Sequence, residues 1–160
     1  MPTLTIEIDS SRLQAMLKRL ADGCSADLRD GGMKAIGEML VLTTQERILR
    51  GVTPEGNAFK PLSPVTLAIR RAKGRSGSQP LIDTGQLRGQ GITYRMEGDV
   101  LVISAQRQGV HAVNFGSDRA GRGNKVRIPR RRFMGVSYSD LDEIARIVRH
   151  ILAQAARGGT

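Results

Sequence analysis

The side chains able to do chemistry are few. His111 and His150 are the only histidines, and no H-x-x-x-H or H-E-x-x-H spacing puts two ligands on one helical face. A packed or surface histidine is the better reading of each. Cys24 is the only cysteine, so neither a disulfide framework nor a cysteine-based metal site can be built, and a plain structural or surface thiol is expected. Asp140, Asp142 and Glu143 form a small carboxylate cluster. Their place in the first turn of a helix, where the helix dipole favours negative charge, accounts for them without acid–base or metal chemistry. Gly121-Arg122-Gly123-Asn124-Lys125 has the glycines of a phosphate loop but not the G-x-x-x-x-G-K-[ST] pattern, nor a strand before and a helix after it. No catalytic set, metal site or cofactor site is expected, so the reading is not that of an enzyme.

Cations are what the sequence has in excess. Lys plus Arg number 25 against 15 Asp plus Glu, for a net charge of +10, which implies a polyanion or an acidic protein surface as neighbour. Two stretches concentrate it. Arg70, Arg71, Lys73 and Arg75 lie in a segment without an acid, a candidate DNA-facing set. Arg119, Arg122, Lys125, Arg127 and Arg130-Arg131-Arg132 follow one another with Asp118 as the only acid, a candidate set for contact with a subunit or partner. Arginine suits bidentate contact with carboxylates, and glycine with arginine can also follow a phosphate backbone without reading its sequence. Aromatics are 3% of residues and Trp is absent, which leaves base stacking poorly supplied.

The elements that must carry these groups follow from periodicity. Leu4, Ile6 and Ile8 alternate with polar residues as in a half-buried strand. A short helix with Leu13, Met16, Leu17 and Leu20 on one face follows. The next helix starts near Ser25 or Asp27 and runs through Met33, Ile36, Leu40, Thr44 and Ile48 to a stop at Gly51, with Gly37 allowing close helix approach. Thr53-Pro54-Glu55-Gly56 is a turn. Ser63-Pro64 starts a helix to about Ala72, and Asp83 or Thr84 caps another short one through Leu87. Residues 92–97 and 100–103 around Gly98-Asp99 read as a β-hairpin. Residues 111–116 form a helical turn closed by Gly116. A closing amphipathic helix capped by Ser139 carries Leu141, Ile144, Val148, Ile151 or Leu152, and Ala155. Between them, residues 74–79 and 117–127 are expected to be mobile loops or an extended arm.

Ile128-Pro129-Arg130-Arg131-Arg132-Phe133-Met134-Gly135-Val136-Ser137 joins the charge to the fold. Pro129 suits the start of an edge strand. The arginines read as surface, Phe133 and Met134 as core. Phe59, Leu62, Leu87 and Phe115 are the other expected core anchors.

Three ordered motifs carry a resemblance: Thr53-Pro54-Glu55-Gly56 with Phe59-Lys60-Pro61-Leu62-Ser63-Pro64-Val65-Thr66, Leu81-Ile82-Asp83-Thr84-Gly85-Gln86-Leu87, and Val110-His111-Ala112-Val113-Asn114-Phe115-Gly116 with residues 128–137. With the N-terminal helices they cover most of the chain and resemble the virion-morphogenesis, or tail-completion, family of tailed bacteriophages, Mu-like phages among them. Phe59 stands where that family commonly has Trp, and Arg131-Arg132 makes the third motif more basic than usual. The resemblance implies a non-enzymatic structural protein of the neck that completes the tail or the head–tail joint. Its implied partners are its own copies in a ring, with six the expected number, other neck and tail proteins, and the DNA passing through, met non-specifically. Its place would be the virion, and the host cytoplasm during assembly. The rival class is a basic nucleic-acid-binding module acting alone.

The expected architecture is a single α+β domain over residues 1–160. A small, largely antiparallel sheet of the hairpin, the Ile128 to Val136 region and the N-terminal strand packs against the long helix and the closing helix. No stretch has the ~18 apolar residues of a membrane span, and Glu7 and Asp9 stand where a signal peptide would be apolar.

Overall fold

The computed structural model describes residues 3–6, 26–98, 100–121 and 123–158. The expected helix around Leu13 to Leu20, and Cys24, lie outside them. In order the elements are β1 (Thr3–Ile6), α1 (Ala26–Arg50), α2 (Pro64–Ala72), β2 (Ile92–Glu97), β3 (Val100–Gln106), α3 (Val110–Phe115), β4 (Ser117–Ala120), β5 (Val126–Ile128) and α4 (Tyr138–Gly158). The fold is mixed α+β.

Helix α1 is the scaffold. Met33, Ile36, Leu40, Thr44 and Ile48 are buried along one face, at the spacing that keeps a single stripe turned inward. It stops at Gly51, whose φ of +69° suits glycine. Its two main neighbours are α4, which buries Ile144, Val148 and Ile151, and the sheet. Gly37 does permit a close approach, though not of another helix: a Cβ there would stand 2.5 Å from Cδ2 of Tyr94, so the ring from β2 lies flat against the helix backbone.

The sheet has three antiparallel strands in the order β1-β3-β2. The hairpin register pairs Ile92 with Ala105 and Glu97 with Val100, and β1 pairs Leu4 with Ala105 across the other edge of β3. Central β3 buries Val102, Ile103, Ser104 and Ala105 in succession, as a strand covered on both faces must.

The region from Ile128 to Val136 does not join this sheet. Ile128 ends β5, which pairs only with β4 in a separate two-stranded ribbon. Beyond it Pro129 has no N–H, and the amides of Arg131, Phe133 and Met134 are taken by α3 instead of a strand neighbour. The expected short helix after Asp83 is also absent. Residues 83–90 form turns closed by Gly89 N–H to Gly85 O (2.9 Å) and Gly91 N–H to Gln86 O (2.9 Å). Three glycines in residues 85–91 make a regular helix costly there, yet Leu87 remains buried as expected.

The cap of α4 lies two residues before the expected Ser139. Ser137 Oγ accepts the Asp140 N–H (3.1 Å) while Asp140 Oδ2 accepts the Ser137 N–H (2.8 Å), a reciprocal capping box. The same carboxylate meets Arg47 Nη1 of α1 at 2.6 Å, with both side chains buried. Arg47 Nη2 donates to Thr44 Oγ1 and Gly135 O, each at 2.9 Å. One buried ion pair therefore ties the last turn of α1 to the start of the last helix. Burial pushes the Asp140 carboxyl up, but the Ser137 amide and hydroxyl and the Arg47 guanidinium outweigh it and hold the pKa below the ordinary value.

Candidate interaction surface

The surface is built outward from α3, only six residues long. Gly109, at φ +78°, begins it without a side-chain cap. Val110 and Asn114 turn inward, and Asn114 is fully buried. Its Oδ1 accepts the N–H groups of Phe133 and Met134, both at 3.1 Å. The carbonyl of Val113, left open by the helix end, accepts the Arg131 N–H at 2.8 Å. A segment with no strand neighbour thus satisfies its amides on a helix terminus, and Phe133 and Met134 are delivered into the core.

Arg131 completes this clamp. Expected at the surface with its neighbours, it is 6% exposed. Its Nε and Nη2 donate to the carbonyls of Lys60 and Pro61 at 2.6 Å each. Burial, and then the charge of Arg70 nearby, push its guanidinium below the usual arginine value. Arg132 is half-buried, pairs with Glu55 and donates from Nε to Met134 O. Burial raises the Glu55 pKa. The Thr53 hydroxyl, its own backbone and then Arg132 and Arg130 outweigh that and leave it lowered. Only Arg130 of the three arginines is exposed.

Arg70 is likewise not a DNA-facing residue. It is 8% exposed, and Nη1 reaches the carbonyls of Gly77, Gln79 and Ile82 at 2.8, 3.0 and 3.0 Å. Its Nε lies 3.4 Å from Asp83, which also holds Arg75 at 2.5 Å and faces Arg107 at 4.0 Å. The segment 74–79, expected to be mobile, curls around this guanidinium. Leu81 takes φ +67° on the same bend, with its side chain in the core. Arg71 and Lys73 remain exposed on and just after α2.

From the clamp an arm projects. Strand β4 leaves at Ser117 and β5 returns at Ile128, paired antiparallel with an irregularity between Ser117 and Ala120. Gly116 makes the base possible: its φ is +83°, and a Cβ there would stand 3.1 Å from the Arg130 nitrogen. At the tip Gly121, Gly123 and Asn124 all have positive φ. The stretch expected as a mobile loop or extended arm is therefore a short β-ribbon. Asp118 and Arg127 pair at 2.9 Å and are more than four-fifths exposed, a contact of small worth. Arg119 and Lys125 are exposed and pair with no acid among the described residues. Arg122 falls outside the described residues.

At the foot of the arm lies an open groove of about 760 Å³, lined among others by Lys60, Phe115, Asp118, Arg127 and Arg130. Phe115, expected in the core, is 47% exposed here, and its ring lies tilted against His111 with centroids 4.8 Å apart. It ends α3 on the side away from Asn114, so the inward face was already taken. Phe59 is buried and Leu62 half-buried. His150 is exposed on α4. Asn114, Lys60 and the Arg47–Asp140 pair escaped the sequence reading. Of these only Asp140 had a local signal, the S-x-x-D of residues 137–140.

Among the described residues no group of His, Cys, Asp and Glu is placed to hold a metal ion, and no helix is long and apolar enough to cross a membrane. The three sequence motifs converge: the first supplies the carbonyls and Glu55, the third the arginines and Asn114, and Arg70 with its loop leads into the second. In comparisons with known proteins, no curated protein and no solved structure matches the chain. The family model of the phage virion morphogenesis family matches residues 8–153.

Proposed function

The chain belongs to the phage virion morphogenesis family, and from that premise we propose that it completes the tail or the head–tail joint as a homo-oligomeric ring. The observation that carries this reading is the arm. A ribbon with Arg119 and Lys125 exposed on it projects from α3, and its base is fixed by Gly116, Asn114 and Arg131. Such a lever has little to do inside one subunit, where it touches α3 at its foot. Laid on a neighbour, it transmits position rigidly, because its return strand runs straight into buried Phe133 and Met134.

The arm's role is contact with protein. Arg119, Arg122, Lys125, Arg127 and Arg130 meet the next subunit or a neck partner, and the passing DNA is met non-specifically by what cationic surface remains. Arg131 and Arg132 support the arm from beneath. The net charge of +10 keeps the rim of such a ring attractive to DNA and sensitive to salt.

The test is reversal of Arg119, Arg122 and Lys125 to Glu, followed by the molar mass of the purified chain and the yield and DNA content of assembled particles. Loss of ring or head–tail assembly with an unchanged melting temperature is the expected result. Intact assembly with poor DNA retention would assign the arm to DNA instead. Normal particles with normal DNA overturn both. A chain that stays monomeric and binds short duplex DNA, with affinity falling steeply in salt, is the stand-alone nucleic-acid module.

A further inference from the structure

Helix α2 leaves an apolar face in solvent. Val65, Ala68, Ile69 and Ala72 are all exposed, Val65 at 69% and Ile69 at 51%. At about 100° per residue they span roughly 100° of the helix surface, while Arg70, turned the other way, is buried. Among the described residues no other helix or strand packs along α2. The spacing i, i+3, i+4, i+7 is that of a hole, the four-residue socket into which a facing helix sets one side chain. Arg71 and Lys73 flank this face on either side, both exposed and pairing with no acid among the described residues. From Asn57 to Ile82 the chain has no acid at all.

Helix α1 carries a knob. Its outer face, opposite the core stripe, holds Leu42, 59% exposed, and one heptad further on Leu49, 41% exposed. Glu38 and Glu46 stand four residues before and after Leu42, so all three share that face. Both glutamates are exposed and pair with no cation among the described residues. Lys34 and Arg50 lie a further turn out at each end, so the ground beside the leucine itself is acidic. Leu42 and Leu49 are about 10 Å apart along α1, and Val65 and Ala72 are about 10 Å apart along α2.

We infer that the outer face of α1 receives α2 of a second copy of this chain. Leu42 enters the hole between Val65, Ala68, Ile69 and Ala72, where the two alanines leave the room a leucine needs. Because Glu38 and Glu46 stand one turn to either side of the knob, Arg71 and Lys73 come over one of them whichever way α2 runs. Apolar surface meets apolar surface, and cations meet acids. Among the described residues Leu42 is the one exposed leucine with an acid one turn to either side, which is why the occupant is a second copy's α1. Arg71 and Lys73, expected to face DNA, then belong to a protein contact. In a ring each copy gives α2 to one neighbour and receives the other neighbour's on α1. A contact one short helix long is small beside a stable interface, so it accompanies the contact made by the arm. This inference rests on the homo-oligomer reading and adds to it a second pair of matching surfaces.

Charge exchange and a plug test it. In the full chain, E38K/E46K alters the α1 face, R71E/K73E alters the rim of α2, a third variant combines all four changes, and Ala68→Trp fills the hole. Molar mass is read by light scattering across a dilution series, and folding by circular dichroism. The parent is expected to be oligomeric. Each half-reversed variant, and Ala68→Trp, should raise the concentration of half-assembly by about tenfold or more with the fold kept. The four-fold variant should recover the parent curve. In a Cys24→Ser background, Leu42→Cys with Ala68→Cys should crosslink between copies on oxidation, and either cysteine alone should not. An oligomeric parent whose assembly these changes leave unmoved, and whose paired cysteines do not crosslink, overturns the docking and leaves the ring standing. Crosslinking in a parent no larger than a dimer supports the docking and overturns the ring. A parent that is monomeric throughout, without crosslink, overturns both.

Discussion

Replacing Arg131 by alanine removes a guanidinium that is 6% exposed and donates to two carbonyls, Lys60 O and Pro61 O, at 2.6 Å each. Each hydrogen bond from a charged group contributes about 1.5–3 kcal/mol. The two carbonyls belong to residues at the surface, so water can reach them once the side chain is gone, which favours the lower end. Loss of the charge also relieves its repulsion with Arg70. A net loss of about 2–4 kcal/mol follows, less than the full sum of two charged bonds. At about 2–4 °C per kcal/mol for a chain of this length, the melting temperature should fall by roughly 4–16 °C. Arg130→Ala, on an exposed side chain one residue away, should stay within about 0.5 kcal/mol of the parent. Arg131→Lys should fall between them, because one ammonium cannot serve both carbonyls with the same fork. Thermal melts followed by circular dichroism, backed by urea titration, decide the matter. If Arg131→Ala and Arg130→Ala melt together, the clamp between the first and third motifs has been misread.

Other outcomes follow from the same packing. Asn114→Ala leaves the buried amides of Phe133 and Met134 without an acceptor and should cost about 2–4 kcal/mol by urea unfolding. Phe133→Ala, at a fully buried ring, should cost about 3–5 kcal/mol; a variant that unfolds at the parent urea midpoint would remove Phe133 from the core. Asp140 has a depressed pKa in the fold, so its contribution is present above the unfolded carboxyl value of about 3.9 and is lost as pH falls through the lower folded value. Asp140→Asn should therefore be about 3–5 kcal/mol less stable than the parent near neutral pH, with the gap closing below about pH 4. A gap independent of pH would deny the ion pair with Arg47. Brief trypsin digestion should cut first at Arg119 or Lys125 on the arm, and late at Arg75, which Asp83 holds; early cutting at Arg75 would show that the loop around Arg70 opens on its own.

Local pattern was enough for much of this molecule. The span of α1 is written in the spacing from Met33 to Ile48 and in Gly51. The start of α2 is written in Ser63-Pro64, where Ser63 Oγ accepts the Thr66 N–H at 3.2 Å. The β2–β3 hairpin and the Gly116 stop of α3 are equally local. Each depends on residues within a few positions of one another, and steric and hydrogen-bonding preferences act at that range. The ordered motifs pointed to the family for the same reason, being short runs with fixed contents.

What tertiary structure alone decided is which charges are surface and which are mortar. Arg130, Arg131 and Arg132 look alike in the sequence, yet one is exposed, one is buried and one is half-buried. The difference lies in carbonyls some seventy residues away, and no local pattern announces a backbone acceptor. Arg70 and Arg47 were hidden in the same way, the first by a loop that folds back on it, the second by a carboxylate 93 residues distant. Phe115 shows the reverse case: an aromatic read as core is left outside because Asn114 took the inward position on a six-residue helix. A buried cation is tolerated only where several fixed acceptors converge on it. That convergence is a property of the folded chain in three dimensions, and it is why the α+β fold class could be read from the sequence while the roles of its arginines could not.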